Sequence, residues 1–347
     1  MNPALTCFLC FCLAVSATAD VSYLVADLKY SEKHGLKICE VQHGSLSALQ
    51  GDLHLTGGDG TISPKIADFF ARFPVKKWAV GLIYEPLKKC LVARGWDVAH
   101  SINALSSSGT GIVYGDFDVV HHIGAYRTAY PGILFVNATT FPYWKDKYKM
   151  NALFDLNEEL KPYKADWRLY PKKYDAQLSK KIQQDMPSEL YVIKPRGEAL
   201  ANGVIVVKST ELDAVLKTIL ISSEHPYWRK NKDDSFLIEK YYESDYLREG
   251  ALHYDATMRI VFILQSEKGK TTYHGMGGFW KLPAKALEEE GTLNEKRISA
   301  CKPPFYRAVD RELLMKIDAQ LGKAMLLLHQ QMAANAKIPA IAISCST

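Results

Sequence analysis

The residues best suited to chemistry lie between Tyr191 and Val207, in the stretch YVIKPRGEALANGVIVV. An apolar strand ends near Lys194, a loop containing Gly197 and Gly203 follows, and a second β-branched strand returns. A flexible loop between two strands can fold over polyphosphate, and a lysine ammonium supplies the compact positive charge that phosphates require. The stretch therefore indicates a nucleotide site. An ordinary hairpin with glycines in its loop is an equal alternative at this point.

The elements after this loop carry further candidate residues. The loop itself matches neither the P-loop nor the dinucleotide-binding fingerprint. Leu212, Leu216 and Ile219 recur at helical spacing, which predicts a helix after the returning strand. Two apolar strands then follow: FLIEKYYESD, at 236–245, ends in acidic residues, and MRIVFIL, at 258–264, carries an arginine among apolar side chains.

This order of lysine strand, glycine loop, strand, helix, Glu-Lys-Tyr strand and arginine strand resembles the ATP-grasp superfamily. The resemblance implies an α+β fold with two lobes that hold ATP between them. It also implies that Lys194 contacts the phosphates and that the loop, including Arg196 and Gly203, closes over them. The other implied contacts are Glu239 and the backbone of Lys240 to Tyr242 for adenine, Glu243 or Asp245 for ribose, and Arg259 for the acyl phosphate or transferred phosphoryl group.

The magnesium ligands expected by this resemblance are missing from their usual place. ATP-grasp enzymes resemble one another in carrying an Asp on one strand and Glu-x-Asn on the next, near the C-terminus. Magnesium takes hard oxygen ligands and bridges the terminal phosphates, so phosphoryl transfer needs such groups. After Arg259 the sequence has a helical pattern from about 311 to 332 and then IPAIAISCST, without an acidic pair of this kind.

A hairpin with suitable residues is predicted at the other end of the chain, between Tyr23 and Gly44. Asp27 lies on its first strand, and Glu40 and Gln42 project from one face of its second. This hairpin looks like the ATP-grasp metal hairpin with Gln in place of Asn, and both amides offer a carbonyl oxygen. The resemblance thus implies a circularly permuted protein whose Mg²⁺ ligands are these three residues. A surface hairpin with scattered acids is the simpler alternative.

The predicted domain organisation follows from this permuted order. It comprises a signal-like apolar segment (1–19), the metal hairpin (20–56), a Rossmann-like α/β domain (57–150), a helical connector (151–190), the N-lobe (191–235) and the C-lobe (236–347). The Rossmann-like domain is predicted because 78–102 reads as strand, helix and strand. Further candidate strands lie around Val119 and Phe135. Lys147 resembles a second nucleotide-binding lysine, with a solvated surface lysine as the alternative.

The composition is that of a folded globular protein. The chain has 347 residues, 48% of them hydrophobic, and a formal net charge of +5. Its basic residues are dispersed among acids, so nucleic-acid binding is not indicated. His121-His122 could suggest a metal but lacks a third ligand at zinc-like spacing, and Ser106–Ser108 could supply a nucleophile, although a flexible loop is the simpler interpretation. Arg127 and Trp280-Lys281 are candidate substrate contacts, although Gly-Gly before an aromatic residue is ordinarily a turn.

The N-terminal segment resembles a secretory signal. Residues 5–17 are apolar and precede an A-x-A-like site at Ala17–Ala19, but no Lys or Arg comes before them. The run is too short for a stable membrane span. Cleavage would leave Cys39, Cys90, Cys301 and Cys345, too few and too widely spaced for a disulfide scaffold. The signal favours export, whereas the use of ATP favours a cytosol, including that of a host; the sequence leaves the location open.

By resemblance, the chain is predicted to be an ATP- and Mg²⁺-dependent carboxylate-amine ligase that forms an acyl phosphate on a small molecule or peptide. Lys194 and Arg259 are the predicted catalytic residues. A catalytically weak ATP-binding protein and a small-molecule kinase on the same fold remain alternatives. A more remote one is an exported binding module that never uses ATP. The sequence specifies neither the substrate nor the oligomeric state.

Overall fold

The structure is a computed structural model that describes residues 20–44, 46–73, 77–80, 85–99, 111–114, 133–144, 146–198, 201–222 and 225–335. Several sequence predictions lie outside these residues: the signal-like segment, the strand near Val119, Ser106–Ser108, His121-His122, Arg127 and the C-terminal 336–347. Within the described residues, no helix has the length and apolarity needed to cross a membrane.

The first sheet joins the start of the chain to its C-terminal part. Its antiparallel strands are β1 (Asp20–Ser31), β2 (Gly35–His43), β13 (Thr257–Glu267), β14 (Lys270–Lys281) and β15 (Tyr306–Ala308). They lie in the order β15-β14-β13-β1-β2, so the hairpin predicted from residues 23–44 is confirmed and pairs directly with the arginine strand. The long helix predicted near 311–332 is also confirmed, as α9 (Arg311–Asn335), and packs on β14.

The two faces of β1 have different surroundings: one is apolar throughout, and the other changes from apolar to charged side chains along the strand. Leu24, Ala26 and Leu28 point into one core with α9. On the other face, Val21, Tyr23 and Val25 pack against a second core that includes α2 (Ile62–Phe70). This second face continues into Asp27 and Lys29, which line a cavity. Because side chains alternate along a strand, one continuous face passes from core to cavity.

The second sheet is built around the predicted lysine strand and glycine loop. Its antiparallel strands are β7 (Trp167–Pro171), β8 (Leu190–Pro195), β9 (Ile205–Lys208) and β10 (Ser235–Lys240), in the order β7-β10-β8-β9. Helices α5 (Leu178–Asp185) and α6 (Leu212–Ile221) cover one face. The predicted hairpin, helix and Glu-Lys-Tyr strand are therefore confirmed. The connector predicted as helical also contains β7, which completes this sheet.

A third sheet is parallel and lies between the 23–44 hairpin and the second sheet in sequence. Its strands are β3 (Lys77–Val80), β4 (Asp97–Ala99), β5 (Gly111–Tyr114) and β6 (Ile133–Phe135), in the order β4-β3-β5-β6. With α3 (Glu85–Val92) between β3 and β4, it forms the predicted strand-helix-strand unit. The mixed α+β class is thus confirmed, whereas the Rossmann-like domain boundaries stay a prediction.

The remaining described elements connect these sheets. They are α1 (Leu46–Thr56), α4 (Lys147–Asp155), α7 (Pro226–Lys230), α8 (Leu293–Arg297), the two-stranded β11 (Leu247–Glu249) and β12 (Leu252–Tyr254), and 3-10 turns at Lys161–Tyr163 and Ser209–Glu211. Helix α4 begins after Asp146, whose side chain accepts hydrogen bonds from the backbone N–H groups of Tyr148 and Lys149. This N-cap fixes the start of the helix, and with it Lys147, beside the cavity.

Candidate active site

One cavity lies between the first and second sheets and receives side chains from both. The described residues of its wall include eight basic and three acidic side chains. The basic ones are Lys29, Lys37, Lys147, Lys194, Lys240, Arg259, Lys281 and Arg297, and the acidic ones are Asp27, Glu40 and Glu239. Such a surplus of positive charge in a concave site favours a polyanionic ligand.

The second sheet supplies Lys194 and an apolar wall to this cavity. Tyr191 and Ile193 point into the core of the second sheet, so the alternating Val192 and Lys194 face the opposite way, into the cavity. Val206 on the neighbouring strand lies on the same face. An apolar surface that ends at an ammonium group can hold a flat ring beside phosphates.

Glu239, on the neighbouring strand β10, holds Lys194 in place. Lys194 Nζ lies 2.7 Å from Glu239 Oε2 and donates to the backbone carbonyl of Cys39 at 3.2 Å. Burial would raise the pKa of Glu239, but its two lysine partners lower it to about 2. Burial lowers the pKa of Lys194, but the Glu239 carboxylate more than offsets this effect. The net result is that the pKa of Lys194 is raised. Both groups are therefore charged at neutral pH.

The second lysine on Glu239 is Lys164, which the sequence did not single out. Its Nζ donates to Glu239 Oε1 at 3.0 Å and to the carbonyls of Ile38 and Cys39 at 3.2 Å each. Asn151 Nδ2 donates to the same Glu239 oxygen at 2.9 Å. The sequence predicted that the Glu239 side chain contacts adenine. In the structure, both of its carboxylate oxygens accept hydrogen bonds from lysines. Lys164 lies behind the cavity wall and is absent from its lining.

Asp27 forms a second buried charge cluster across the first sheet. It lies opposite Arg259 on β13 and opposite Glu40 on β2. Arg259 donates two hydrogen bonds, from Nε to Oδ1 at 2.8 Å and from Nη2 to Oδ2 at 2.7 Å. Lys281 Nζ donates to Oδ2 at 2.7 Å. Burial opposes ionisation of Asp27, but the two cations hold its pKa well below the usual range.

Glu40 and Gln42, the other predicted metal ligands, also line the cavity. Gln42 Nε2 donates to Glu40 Oε2 at 2.7 Å, so the carbonyl oxygen of Gln42 is not used in this bond. Lys147 Nζ lies 3.5 Å from Glu40 Oε1 and also donates to the backbone carbonyl of Glu198. The oxygens of Glu40 and Gln42 are of the type that Mg²⁺ prefers.

Asp27 does not fit a magnesium site in this arrangement. Both of its oxygens accept hydrogen bonds from cationic side chains, and a divalent ion placed there would meet those charges directly. Within the described residues, no group of three or more His, Cys, Asp or Glu side chains is arranged to hold a metal ion. The predicted trio is brought together, but not as a ready metal centre.

Four of the predicted nucleotide contacts lie outside the lining of this cavity. Arg196 forms a two-pronged pair with Asp146, at 2.9 and 2.6 Å. Gly203 accepts a hydrogen bond from Trp228 Nε1 at 2.9 Å. The ribose candidates are Glu243, which pairs with Arg297 at 2.6 Å, and Asp245, whose Oδ2 accepts from the backbone N–H of Glu32 at 2.8 Å.

Glu243 and Asp245 line an outer cleft that shares Lys240, Tyr241 and Tyr242 with the cavity. Segment 240–242 therefore forms the wall between the two depressions. Lys240 and Tyr242 border the cavity as the sequence predicted. Burial raises the pKa of Tyr241, whose hydroxyl donates to Asp255 at 2.6 Å, so this ring is fixed as a neutral phenol.

Comparisons with known proteins give remote structural similarities. No protein-family profile and no curated protein matches the chain. It is similar to a protein provisionally described as a gamma-glutamylcysteine synthetase from Methylobacillus flagellatus, with 11% identity, a TM-score of 0.45, and coverage of 93% of this chain and 90% of that one. It is also similar to D-cycloserine synthetase DcsG, with 10% identity, a TM-score of 0.40, and coverage of 75% and 82%.

A third similar structure is D-alanyl-alanine synthetase A from Vibrio cholerae, with 10% identity, a TM-score of 0.36, and coverage of 64% of this chain and 60% of that one. At TM-scores below 0.5, these similarities assign neither an activity nor a substrate to the chain.

Proposed function

We propose that this chain is an ATP- and Mg²⁺-dependent carboxylate-amine ligase. The observation that carries the proposal is the common cavity of Lys194 and the Asp27–Glu40 hairpin, which are 154 or more residues apart in sequence but line one cationic space. The sequence resemblance to ATP-grasp proteins requires these two parts to meet. An unrelated surface hairpin has no reason to meet the lysine strand.

The nucleotide would occupy the side of the cavity formed by the second sheet. Val192 and Val206 offer an apolar surface for a base, and the backbone of 240–242 borders the same space. Lys194 and Lys147 face the cavity and would neutralise phosphate charge. Glu239, which also lines the cavity, holds Lys194 and so pre-organises it, and Lys164 binds the other oxygen of Glu239 from behind the cavity wall.

The proposed reaction has two balanced steps. A carboxylate oxygen of the substrate attacks the γ-phosphorus, the bond to the β,γ-bridging oxygen breaks, and ADP leaves. An amine nitrogen then attacks the acyl carbon, inorganic phosphate leaves, and the amine proton passes to solvent. Arg259, held rigidly by Asp27, would stabilise the negative charge that develops during transfer. The substrates would be a small-molecule or peptide carboxylate and an amine.

Magnesium would supply neutralisation of the terminal phosphates, with Glu40 and Gln42 as the fitting oxygen donors. Asp27 cannot be assigned as a third ligand while both of its oxygens bind cations. Asp27 therefore takes no direct part in the proposed reaction.

The chain order is proposed to be a circular permutation. Strand β1 lies between β13 and β2, and α9 packs on the same sheet, so the first hairpin and the last helix belong to one lobe. In this proposal residues 20–56 complete the C-lobe at 236–347, opposite the N-lobe at 191–235.

A catalytically weak ATP-binding protein is the second candidate. Two observations favour it: Gln42 stands where the resemblance expects Asn, and Asp27 is engaged by two cations. ATP binding without Mg²⁺-dependent ADP release would support this alternative. A stable phosphorylated product that forms without an amine would instead indicate a small-molecule kinase.

The test is a screen for ADP release with ATP and Mg²⁺ against pooled amino acids and small carboxylic acids. The proposal predicts that a pool containing both a carboxylate and an amine raises ADP release, with a new amide detected by mass spectrometry. Lys194→Met should reduce this release by about 100-fold or more. ADP release that is equal in the wild type and Lys194→Met would contradict the proposal.

A further inference from the structure

Three neighbouring strands of the first sheet place a row of buried polar side chains in the cavity wall. Thr257 on β13 lies opposite Lys281 on β14, and Lys281 lies opposite Tyr306 on β15. All three line the cavity, and their exposed fractions are 8%, 3% and 3%. Residues that lie opposite each other project from the same face of a sheet. This hydroxyl row, Thr257-Lys281-Tyr306, therefore has an ammonium group between two hydroxyl groups.

The hydroxyl row has unused hydrogen-bonding capacity. Within the described part of the chain, the hydroxyl groups of Thr257 and Tyr306 have no hydrogen-bond partner. The ammonium group of Lys281 carries three N–H groups, and its contact with Asp27 uses one of them. Because buried polar groups are normally hydrogen-bonded, donors that face a cavity in this way indicate a ligand that supplies the acceptors.

Packing fixes the direction of the Tyr306 side chain. Its ring meets Phe279 edge-on, with 5.4 Å between the ring centroids, and lies 6.1 Å from the ring of His54. Burial raises the pKa of Tyr306, so the phenol is neutral at physiological pH and can donate its proton in a hydrogen bond. The row thus presents a rigidly held neutral donor beside the cation Lys281.

We propose that the hydroxyl row is the subsite for the carboxylate of the acid substrate, with Tyr306 and Thr257 as hydrogen-bond donors to its two oxygens. The inference rests on the proposed ATP-dependent function. It deepens that function by assigning the acid to the β13–β15 side of the cavity, apart from Lys194 and the proposed nucleotide side. It also makes Tyr306 and Thr257 residues that determine substrate specificity.

The charge beside the row matches a single carboxylate. Asp27 carries one negative charge, and Arg259 and Lys281, which both bind it, carry two positive charges, so the local charge is +1. One carboxylate neutralises this charge and offers lone pairs to both hydroxyl groups. A polyphosphate would leave excess negative charge here, whereas Lys194 and Lys147 also face the cavity and suit it better.

The row also lies next to the residue proposed to assist phosphoryl transfer. Thr257 and Arg259 are two residues apart on β13, so their side chains project from the same face, and both line the cavity. A carboxylate bound at the row would therefore lie beside the guanidinium group. This is the position that attack on the γ-phosphorus requires of the acid, because reacting groups must be held close together.

The rest of the acid would extend towards the mouth of the cavity. Helix α1 packs on β15 and carries Gln50, which lines the cavity and is exposed. Cys301 lines the cavity and is exposed as well. These two side chains place solvent within reach of the row. The subsite therefore suits either a small acid or the carboxylate of a peptide whose remaining residues project from the cavity.

The experiment measures binding of acetate to the full chain by saturation-transfer difference NMR, with sodium chloride keeping the ionic strength constant. Tyr306→Phe and Thr257→Val each remove one hydroxyl group at nearly constant shape, and Thr257→Ser keeps it. Tyr191→Phe is the matched control, because Tyr191 is also buried but its hydroxyl group donates to the backbone carbonyl of Met186, at 2.8 Å. Thermal unfolding checks that each variant folds.

The wild type, Thr257→Ser and Tyr191→Phe should bind acetate with similar affinity. Tyr306→Phe and Thr257→Val should each bind it about tenfold more weakly or more, the scale of a lost hydrogen bond to a charged group. The β,γ-imido analogue of ATP should bind without displacing acetate, because the two subsites are separate.

Several outcomes would overturn the inference. These are no saturable binding of acetate to the wild type, equal affinity in Thr257→Ser and Thr257→Val, wild-type affinity in a folded Tyr306→Phe, or displacement of acetate by the ATP analogue. If Tyr306→Phe does not fold, the comparison of Thr257→Ser with Thr257→Val decides. ATP binding is measured separately by calorimetry: its absence would overturn the proposed function, whereas bound ATP with any of the outcomes above overturns only the inference.

Discussion

Asp27 and Arg259 are 232 residues apart in sequence, yet they lie opposite each other on neighbouring strands and form two hydrogen bonds of 2.8 and 2.7 Å. This pair joins the first strand of the chain to the strand that carries the candidate catalytic arginine. It orients the guanidinium within the cavity wall. It also occupies the carboxylate that the sequence assigned to a metal.

Replacement of Asp27 tests the energetic role of this cluster. Asp27→Asn leaves Arg259 and Lys281 as buried like charges without a counter-ion, so we expect a loss of about 3–5 kcal/mol in the free energy of unfolding. Urea denaturation measures this loss. Adding Lys281→Met to the Asp27→Asn variant should recover part of it, because one unpaired charge is removed. Unchanged stability in Asp27→Asn would contradict the account.

The lowered pKa of Glu239 predicts how the stability of the fold depends on acid pH. Its pKa falls from the usual 4.5 to about 2 in the folded chain, so the unfolded state binds more protons between these values. Its stabilising contribution is therefore complete above about pH 4.5 and is lost as the pH falls towards 2. At pH 7, the free energy of unfolding of the wild type should exceed that of Glu239→Gln by on the order of 3 kcal/mol.

The measurement is urea denaturation of both proteins from pH 7 to pH 3. The stability difference should stay constant down to about pH 4.5 and then narrow. A difference that does not change with pH would show that the charge of Glu239 does not stabilise the fold.

The conformation of the glycine loop gives a third prediction. Gly203 has φ +72°, and a Cβ there would lie 2.8 Å from Pro195. Gly269 has a similar φ of +77° but open space around its Cβ position. Both changes to Ala carry the backbone cost of roughly 1 kcal/mol, and Gly203→Ala adds a steric cost. Gly203→Ala should therefore unfold at a lower urea concentration than Gly269→Ala. Equal urea midpoints for the two variants would contradict the predicted steric clash with Pro195.

Two cysteines of the cavity report on ligand binding. Cys301 is exposed and Cys39 is partly buried, and both line the cavity. Burial raises the pKa of the Cys39 thiol, so iodoacetamide should modify Cys301 faster. ATP should slow modification at both, measured by peptide mass spectrometry, with sulfate at equal ionic strength as the control. Unchanged Cys301 labelling at high ATP would argue against nucleotide in this cavity.

Local sequence patterns predicted the elements that form the site. Apolar runs bounded by a polar turn or a glycine loop predicted the 23–44 hairpin and strand β8, and the polar side chains of these strands include Asp27, Glu40 and Lys194. These faces could be read because strand alternation depends on neighbouring residues. The common cavity of the two segments followed from the resemblance, since no local pattern relates residues so far apart.

Contacts made across the fold were not predictable in this way. Lys164 stands in a polar run, KPYKADW, that gives no sign of burial, yet it shares Glu239 with Lys194. Asp245, one of the two predicted ribose contacts, accepts a hydrogen bond from a backbone N–H of the β1–β2 turn, a contact that the sequence did not indicate. Lys281 reaches Asp27 only because β14 and β1 flank β13. Each case depends on tertiary packing that the local sequence does not encode.

The most direct measurement is isothermal titration calorimetry of ATP with Mg²⁺ into the wild type, Lys194→Met and Lys164→Met. The two lysines share Glu239, but only Lys194 lines the cavity. The account predicts saturable binding to the wild type, binding weaker by about tenfold to 100-fold in Lys194→Met, and a change within a few-fold in the folded Lys164→Met. Absence of binding to the folded wild type, or equal affinity in Lys194→Met, would contradict it.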